Sequence, residues 1–172
     1  KVTYEKVKST LACSDKVLIT QATSTGKSFI TMKLMQEDYK DYKKLYVVPK
    51  IAIKDNLTLY PEWVEHNVDF ITYAKLTRVD IEEIISSYDV FIFDEVHHAG
   101  ARLWRKPVES ILLSGKVCIG LTATPLRTDG IDIGKLLFEG YVVAGPDVAT
   151  AINEHIWSDF KYVLTVNKIR ER

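Results

Sequence analysis

Short apolar runs, rich in β-branched and aromatic residues, recur along the chain between longer segments of mixed polarity. They are Lys16–Thr20 (KVLIT), Leu45–Pro49 (LYVVP), Val68–Tyr73 (VDFITY), Val90–Asp94 (VFIFD) and Val117–Thr122 (VCIGLT). Each is too short for a helix that packs by itself and reads as a strand buried on both faces, as in a parallel sheet. Helical period fills the intervals. Lys27–Tyr42 keeps Phe29, Ile30, Leu34 and Met35 apolar among polar neighbours, and Ile81–Ile85 and Trp104–Leu113 do so on a smaller scale. Strand and helix in alternation predict an α/β fold with a mainly parallel central sheet. Further on, Leu136–Val143, Val148–Ile156 and Phe160–Val166 predict a helix end with a strand, a helix, and a strand. Residues 167–172 read as the start of a linker or a frayed terminus. With no repeat, low-complexity tract or glycine-serine linker, residues 1–166 form one expected domain.

Composition narrows this picture only a little. The 172 residues, 47% hydrophobic and 27% charged, suit one globular domain with a real core. Lys and Arg number 23, as do Asp and Glu, so net charge gives no global case for nucleic-acid binding. Cys13 and Cys118 lie far apart, with neither metal-ligand nor disulfide spacing. Both sit in apolar surroundings and are expected as buried free thiols, which fits a reducing, cytoplasmic compartment. No signal peptide or membrane span is expected. A chain opening on Lys1 is expected to be a piece of a longer protein.

The chemistry begins at Ile19–Ser28, ITQATSTGKS. It follows a predicted strand and opens a predicted helix, the context a phosphate-cradling loop requires. A helix N-terminus exposes unpaired N–H groups and attracts anions. Backbone N–H groups from Thr23, Ser24, Thr25, Gly26, Lys27 and Ser28 would wrap the phosphates, with Lys27 reaching the β- and γ-phosphates and Ser28 ligating magnesium. Gln21 stands where the general pattern has its first glycine. The alternative is a helix start capped by Ser24 or Thr25, with Lys27 solvated.

A second motif favours the nucleotide. Val90–Phe93 leads into Asp94 and Glu95, two carboxylates at the C-terminal end of a buried strand, where α/β sheets bind ligands. Asp94 would hold Mg2+ and Glu95 would deprotonate the attacking water. As an alternative, Asp94 caps a following helix. The neighbouring His97-His98 pair has no further ligand at a convincing spacing, so zinc is not favoured and His98 reads as a surface residue.

With Asp94-Glu95-Val96-His97 forming a DExH box, TSTGKS upstream and Thr122-Ala123-Thr124-Pro125 downstream, the chain resembles the first RecA-like domain of superfamily 2 helicases and translocases. Gly120–Gly130 (GLTATPLRTDG), Phe70–Leu76 (FITYAKL) and the ending LFEGYVVAGPDVATAINEHIWSDFKYVLTV look most like the type III restriction subunit group. The resemblance covers nearly the whole chain. It implies a P-loop NTPase three-layer sandwich, ATP and Mg2+ as cofactors, and hydrolysis coupled to movement on nucleic acid, DNA before RNA. It also implies that Lys27, Asp94 and Glu95 are catalytic, and that His97, Thr122 and Thr124 couple the nucleotide site to motion. Pro49, Lys50 and Thr72 would contact nucleic acid. The alternatives are a strand terminator at Pro49 and a core aromatic at Tyr73. Arg102, Arg105 and Lys106 around Trp104 are read as the solvated face of an amphipathic helix rather than a nucleic-acid patch.

Relatives of this kind have a second RecA-like domain, for which this chain has no room. ATP would meet half a cleft here, so the isolated chain is expected to hydrolyse it poorly, and Arg127 is not assigned a finger role. The rival readings are a small-molecule kinase and a degenerate P-loop lobe acting as a binding module.

Overall fold

The structure is a computed structural model and describes residues 2–22, 25–57, 59 and 66–153. Six parallel strands form one sheet: β1 (Lys16–Thr20), β2 (Lys44–Val48), β3 (Val68–Thr72), β4 (Val90–Phe93), β5 (Val117–Thr122) and β6 (Val142–Ala144). Their order across the sheet is β3-β2-β4-β5-β1-β6. Because every pairing is parallel, all C-terminal strand ends lie on one edge.

Alternation along the strands divides the core. Val17, Ile19, Tyr46, Val48, Val90, Ile92, Ile119 and Leu121 pack on one face. That face is covered by α1 (Val2–Leu11), through Tyr4 and Val7, and by α2 (Lys27–Glu37), through Leu34 and Met35. Leu18, Leu45, Val47, Phe91, Phe93 and Cys118 pack on the other. Helices α4 (Tyr73–Leu76), α5 (Ile81–Ser87), α6 (Arg102–Leu112) and α7 (Ile133–Phe138) cover it. Burial on both faces explains the nearly continuous apolar runs of β1, β2, β4 and β5, whereas β3, expected to be buried likewise, is an edge strand with Asp69 exposed. The result is the expected three-layer α/β sandwich, completed by α3 (Ile51–Leu57) and α8 (Val148–Asn153).

Several boundaries differ from expectation. The helix read as Lys27–Tyr42 ends at Glu37. Beyond it the run Asp38–Asp41 offers no apolar stripe to bury, and Tyr39 N–H closes back on the Leu34 carbonyl. Pro49, Tyr73 and Asp94 fall just outside their strands. Pro49 has no N–H for the ladder. Cys13 is exposed while Cys118 is buried. Cys13 sits in the turn after α1, its N–H donating to Thr10 O, and its apolar neighbours are the end of that helix rather than core. α1 itself was not anticipated, although Tyr4, Val7 and Leu11 carry a helical spacing. The strand expected at Phe160–Val166, the end of the Val148–Ile156 helix and residues 167–172 lie outside the described residues. Among the described residues no helix is long and apolar enough to cross a membrane.

Candidate functional site

The strand order gathers the three main motifs. β4, β5 and β1 are neighbours in that sequence, so Asp94-Glu95, Thr122–Thr124 and the Gln21–Ser28 loop emerge side by side from the C-terminal edge. On the far side of β4 come β2, followed by Pro49-Lys50, and β3, ending at Thr72.

Gly26 precedes α2 in the left-handed region, φ 96°, which an L side chain adopts only at a cost. No side chain caps the helix. The Thr25 hydroxyl donates instead to the Ala22 carbonyl. Lys27, only 8% exposed, sends Nζ back to the Gln21 and Ala22 carbonyls, at 2.8 and 3.1 Å. A capping Thr25 beside a solvated Lys27 is therefore not what forms. Burial lowers the Lys27 pKa, while Glu95 and Asp94 oppose that shift. The loop lysine and the carboxylate pair thus feel each other across the edge. Thr23 and Ser24 lie outside the described residues.

Asp94 is pinned by its backbone. Its N–H donates to Val47 O at 2.9 Å and its carbonyl accepts from Tyr73 Oη at 3.0 Å. Its Oδ1 accepts from Glu95 N–H at 3.1 Å. Burial, and then the Glu95 charge, push its carboxyl up to about 6, against the pull of that hydrogen bond and of Lys27. Glu95 occupies the left-handed region, φ 45°, at the entry to a 3-10 turn, Val96–Gly100. Strained non-glycine residues of this kind concentrate at functional sites.

His97 joins two motifs. Its Nδ1 lies 3.0 Å from Thr122 Oγ1 and 3.2 Å from Glu95 Oε2. Thr122 Oγ1 also accepts from Thr124 N–H at 3.1 Å. The His97 carbonyl takes a 2.6 Å hydrogen bond from Arg127, which also holds Asp129. Arg127 is thus committed within this lobe. His98 is not a surface residue: it is half-buried, its ring tilted 4.3 Å from that of His97 and edge-on to Trp104. Burial, followed by His97, lowers its pKa.

Among the segments expected to meet nucleic acid, Lys50 is exposed and Pro49 half-buried at the end of β2. The Thr72 hydroxyl caps α4 by accepting from Lys75 N–H at 3.2 Å. Tyr73 is core, 1% exposed and stacked on Trp104. Arg105 departs from a wholly solvated helix face, since it turns inward to donate to Gly100 O at 3.1 Å.

Sequence reading missed Tyr46. This fully buried phenol on β2 lies beside Ser28 and within the field of Asp94 and Glu95. Burial, above all, raises its pKa well beyond the usual phenol range. The signal was a lone hydroxyl-bearing ring in an otherwise aliphatic strand. The Ser28 side chain hydrogen-bonds with this phenol, and the Asp94 charge also acts on it. A serine hydroxyl and a carboxylate are hard oxygen donors of the kind Mg2+ takes. Among the described residues no group of three or more His, Cys, Asp or Glu is arranged to hold a metal.

Residues 58–127 match the family described as "Type III restriction enzyme, res subunit". A protein of the Sulfolobus islandicus filamentous virus, named "Putative helicase 22", is 26% identical over 105 residues. That match takes in 58% of this chain and 18% of the viral protein. The fold is similar to that of the Escherichia coli DEAH/RHA helicase HrpB, with TM-score 0.66, 19% identity, and 83% of this chain on 22% of that one. It is also similar to the UvsW helicase of bacteriophage T4, with TM-score 0.57, 18% identity, and 75% on 54%. The Pyrococcus furiosus Hef helicase domain gives TM-score 0.58, 15% identity, and 88% on 40%. The chain therefore spans about a fifth of the viral relative and of HrpB, and about half of the other two. Residues 58–127 are therefore similar in sequence to the type III restriction res subunit family, and the strand order that aligns the motifs belongs to an α/β fold shared with these helicase structures.

Proposed function

We propose that the chain is the ATP-binding lobe of a nucleic-acid-dependent ATPase, a helicase or translocase acting on DNA in preference to RNA, in the cytoplasm. The observation that carries this reading is His97, whose single Nδ1 bridges Glu95 and Thr122 and so ties the hydrolytic carboxylate to the TATP segment. A kinase needs no such tie. Residues 1–166 are the lobe and 167–172 begin a linker toward a second RecA-like domain.

Backbone N–H groups from Thr23 to Ser28 bind the phosphates at the N-terminus of α2. Lys27 leaves the Gln21 and Ala22 carbonyls to pair with the β- and γ-phosphates. Ser28 and Asp94 are the protein ligands for Mg2+, which when bound neutralises charge on the phosphates. The Glu95 carboxylate orients the attacking water and accepts its proton. His97 reports the state of Glu95 to Thr122 and, through the Thr124 N–H bond, to the rest of that segment. Pro49, Lys50 and Thr72 would meet a nucleic-acid strand crossing the edge, with the Lys50 N–H and ammonium and the Thr72 hydroxyl donating to phosphates, a contact that does not read sequence. The type III restriction likeness supports a restriction-associated setting.

The test is the ATPase rate of the full-length protein with and without duplex DNA, single-stranded DNA and RNA, beside Lys27→Ala. Stimulation by a polymer, lost in the variant, is expected, and the best polymer names the track. Phosphate transfer to a small acceptor would revive a kinase, and failure to bind nucleotide would leave a binding module. The isolated chain should turn over slowly, because the charge-stabilising arginines of a second lobe are worth about 10³–10⁵ in rate.

A further inference from the structure

Gln21 stands where a general phosphate loop has glycine, yet it is 5% exposed and built into the loop. Its Nε2 donates to the Thr25 carbonyl, immediately before Gly26. Its own main-chain carbonyl, with that of Ala22, holds Lys27 Nζ. The Thr25 hydroxyl returns to Ala22 O. One residue thus fixes both ends of the turn.

The side chain is pressed from outside by the connection between β6 and α8. A Cβ placed on Gly145 would stand 2.5 Å from Gln21 Oε1 and 2.8 Å from its Cδ. The approach is held by two backbone bonds: Gly145 N–H to Thr20 O at 2.7 Å and Ala22 N–H to Pro146 O at 3.1 Å. Oε1 is buried and has no hydrogen-bond partner among the described residues, so the amide is oriented by Nε2 and by packing on Gly145.

We infer that Gln21, braced by Gly145-Pro146, is a positioning residue that holds Thr25 and Lys27 in place before nucleotide arrives, so that the β6–α8 connection sets nucleotide affinity. This rests on the ATP-binding reading above. A glycine at this position could not do the same, having no side chain to grip Thr25. Holding Thr25 and Lys27 in advance lowers the ordering cost of binding. Its loss falls on ground-state binding rather than on the chemical step.

The test is calorimetric binding of Mg-ATP, with steady-state kinetics, on the full-length protein. Gln21→Met keeps the volume and removes the amide. It should raise Kd and KM about 5–10-fold, the worth of one hydrogen bond, with kcat held within about twofold. Gly145→Ala should do the same in the unaltered protein. It should do little in a Gln21→Ala background, where the added methyl finds room. Unchanged Kd in Gln21→Met would overturn the inference, as would a Gly145→Ala effect of equal size in both backgrounds. If Gly145→Ala does not fold, Gln21→Met decides. Absence of ATP binding by the unaltered protein would instead overturn the functional reading itself, and the inference with it.

Discussion

His97 Nδ1 and Thr122 Oγ1 are 3.0 Å apart, although one residue follows β4 and the other ends β5. The contact exists because those strands are neighbours and because the 3-10 turn after Glu95 brings the imidazole back over the sheet edge. If it couples hydrolysis to movement, His97→Ala and Thr122→Val should each collapse the ratio of polymer-stimulated to basal ATPase by about tenfold or more. Each should lower the basal rate less. The double variant should be no worse than either alone, as for residues that act as a pair. Additive losses, measured by steady-state kinetics at saturating polymer, would mean that the two side chains act separately.

Most of the fold was legible because strands buried on both faces leave nearly unbroken apolar runs, and KVLIT, VFIF and VCIGLT could be little else. The motifs were legible for a related reason: each is a short polar string fixed to the end of such a run. Two things were hidden. Strand order is not written in any one segment, so the adjacency of β4, β5 and β1, and with it the His97–Thr122 contact, emerges only from the assembled sheet. Burial in turns was hidden too. Apolar neighbours made Cys13 look interior and chemistry made His98 look exterior. A turn outside α1 and an edge-on contact with Trp104 reversed both. The Gln21 departure was visible in the sequence, but its meaning depends on Gly145, far along the chain.

Asp94 is placed at a cost to stability. Its carboxyl titrates at about 6 in the folded chain against an ordinary value of 3.8, with burial the larger cause. A raised carboxyl pKa means that the folded state holds a proton the unfolded state has released. This group therefore destabilises the fold most fully above about 6, and the penalty disappears as the pH falls toward 3.8. Asp94→Asn preserves the acceptor for Glu95 N–H and removes the charge. It should stabilise the nucleotide-free protein by about 1–3 kcal/mol at mildly alkaline pH, with the gain shrinking on acidification, while abolishing ATP turnover. Denaturant unfolding across that pH range is the check. A gain that does not depend on pH would place its origin elsewhere.

Glu95 combines a strained backbone, φ 45°, with a carboxylate 3.2 Å from His97. If it deprotonates water, Glu95→Gln should keep Mg-ATP affinity within a few-fold and lower turnover by about 10²–10⁴. Glu95→Gly would also lose turnover, but should relieve the left-handed strain and raise the melting temperature relative to Glu95→Gln. Equal melting temperatures would show that the turn is not strained in solution.

Tyr73 separates a structural from a nucleic-acid role at the end of β3. The residue is 1% exposed, its ring stacks on Trp104 at 5.4 Å, and its hydroxyl supports the Asp94 carbonyl at 3.0 Å. A buried phenol committed in this way has no face left for a base. Tyr73→Phe should therefore cost about 1 kcal/mol of stability, the usual worth of one such hydrogen bond. Its affinity for single-stranded polymer should be unchanged. The Asp94 carbonyl loses a donor in that variant, so a modest fall in kcat with KM for ATP held is also expected. Denaturant midpoints, polymer titrations and ATPase kinetics on the same preparation distinguish the cases. Weakened polymer binding with unchanged stability would move Tyr73 out of the core and into the track.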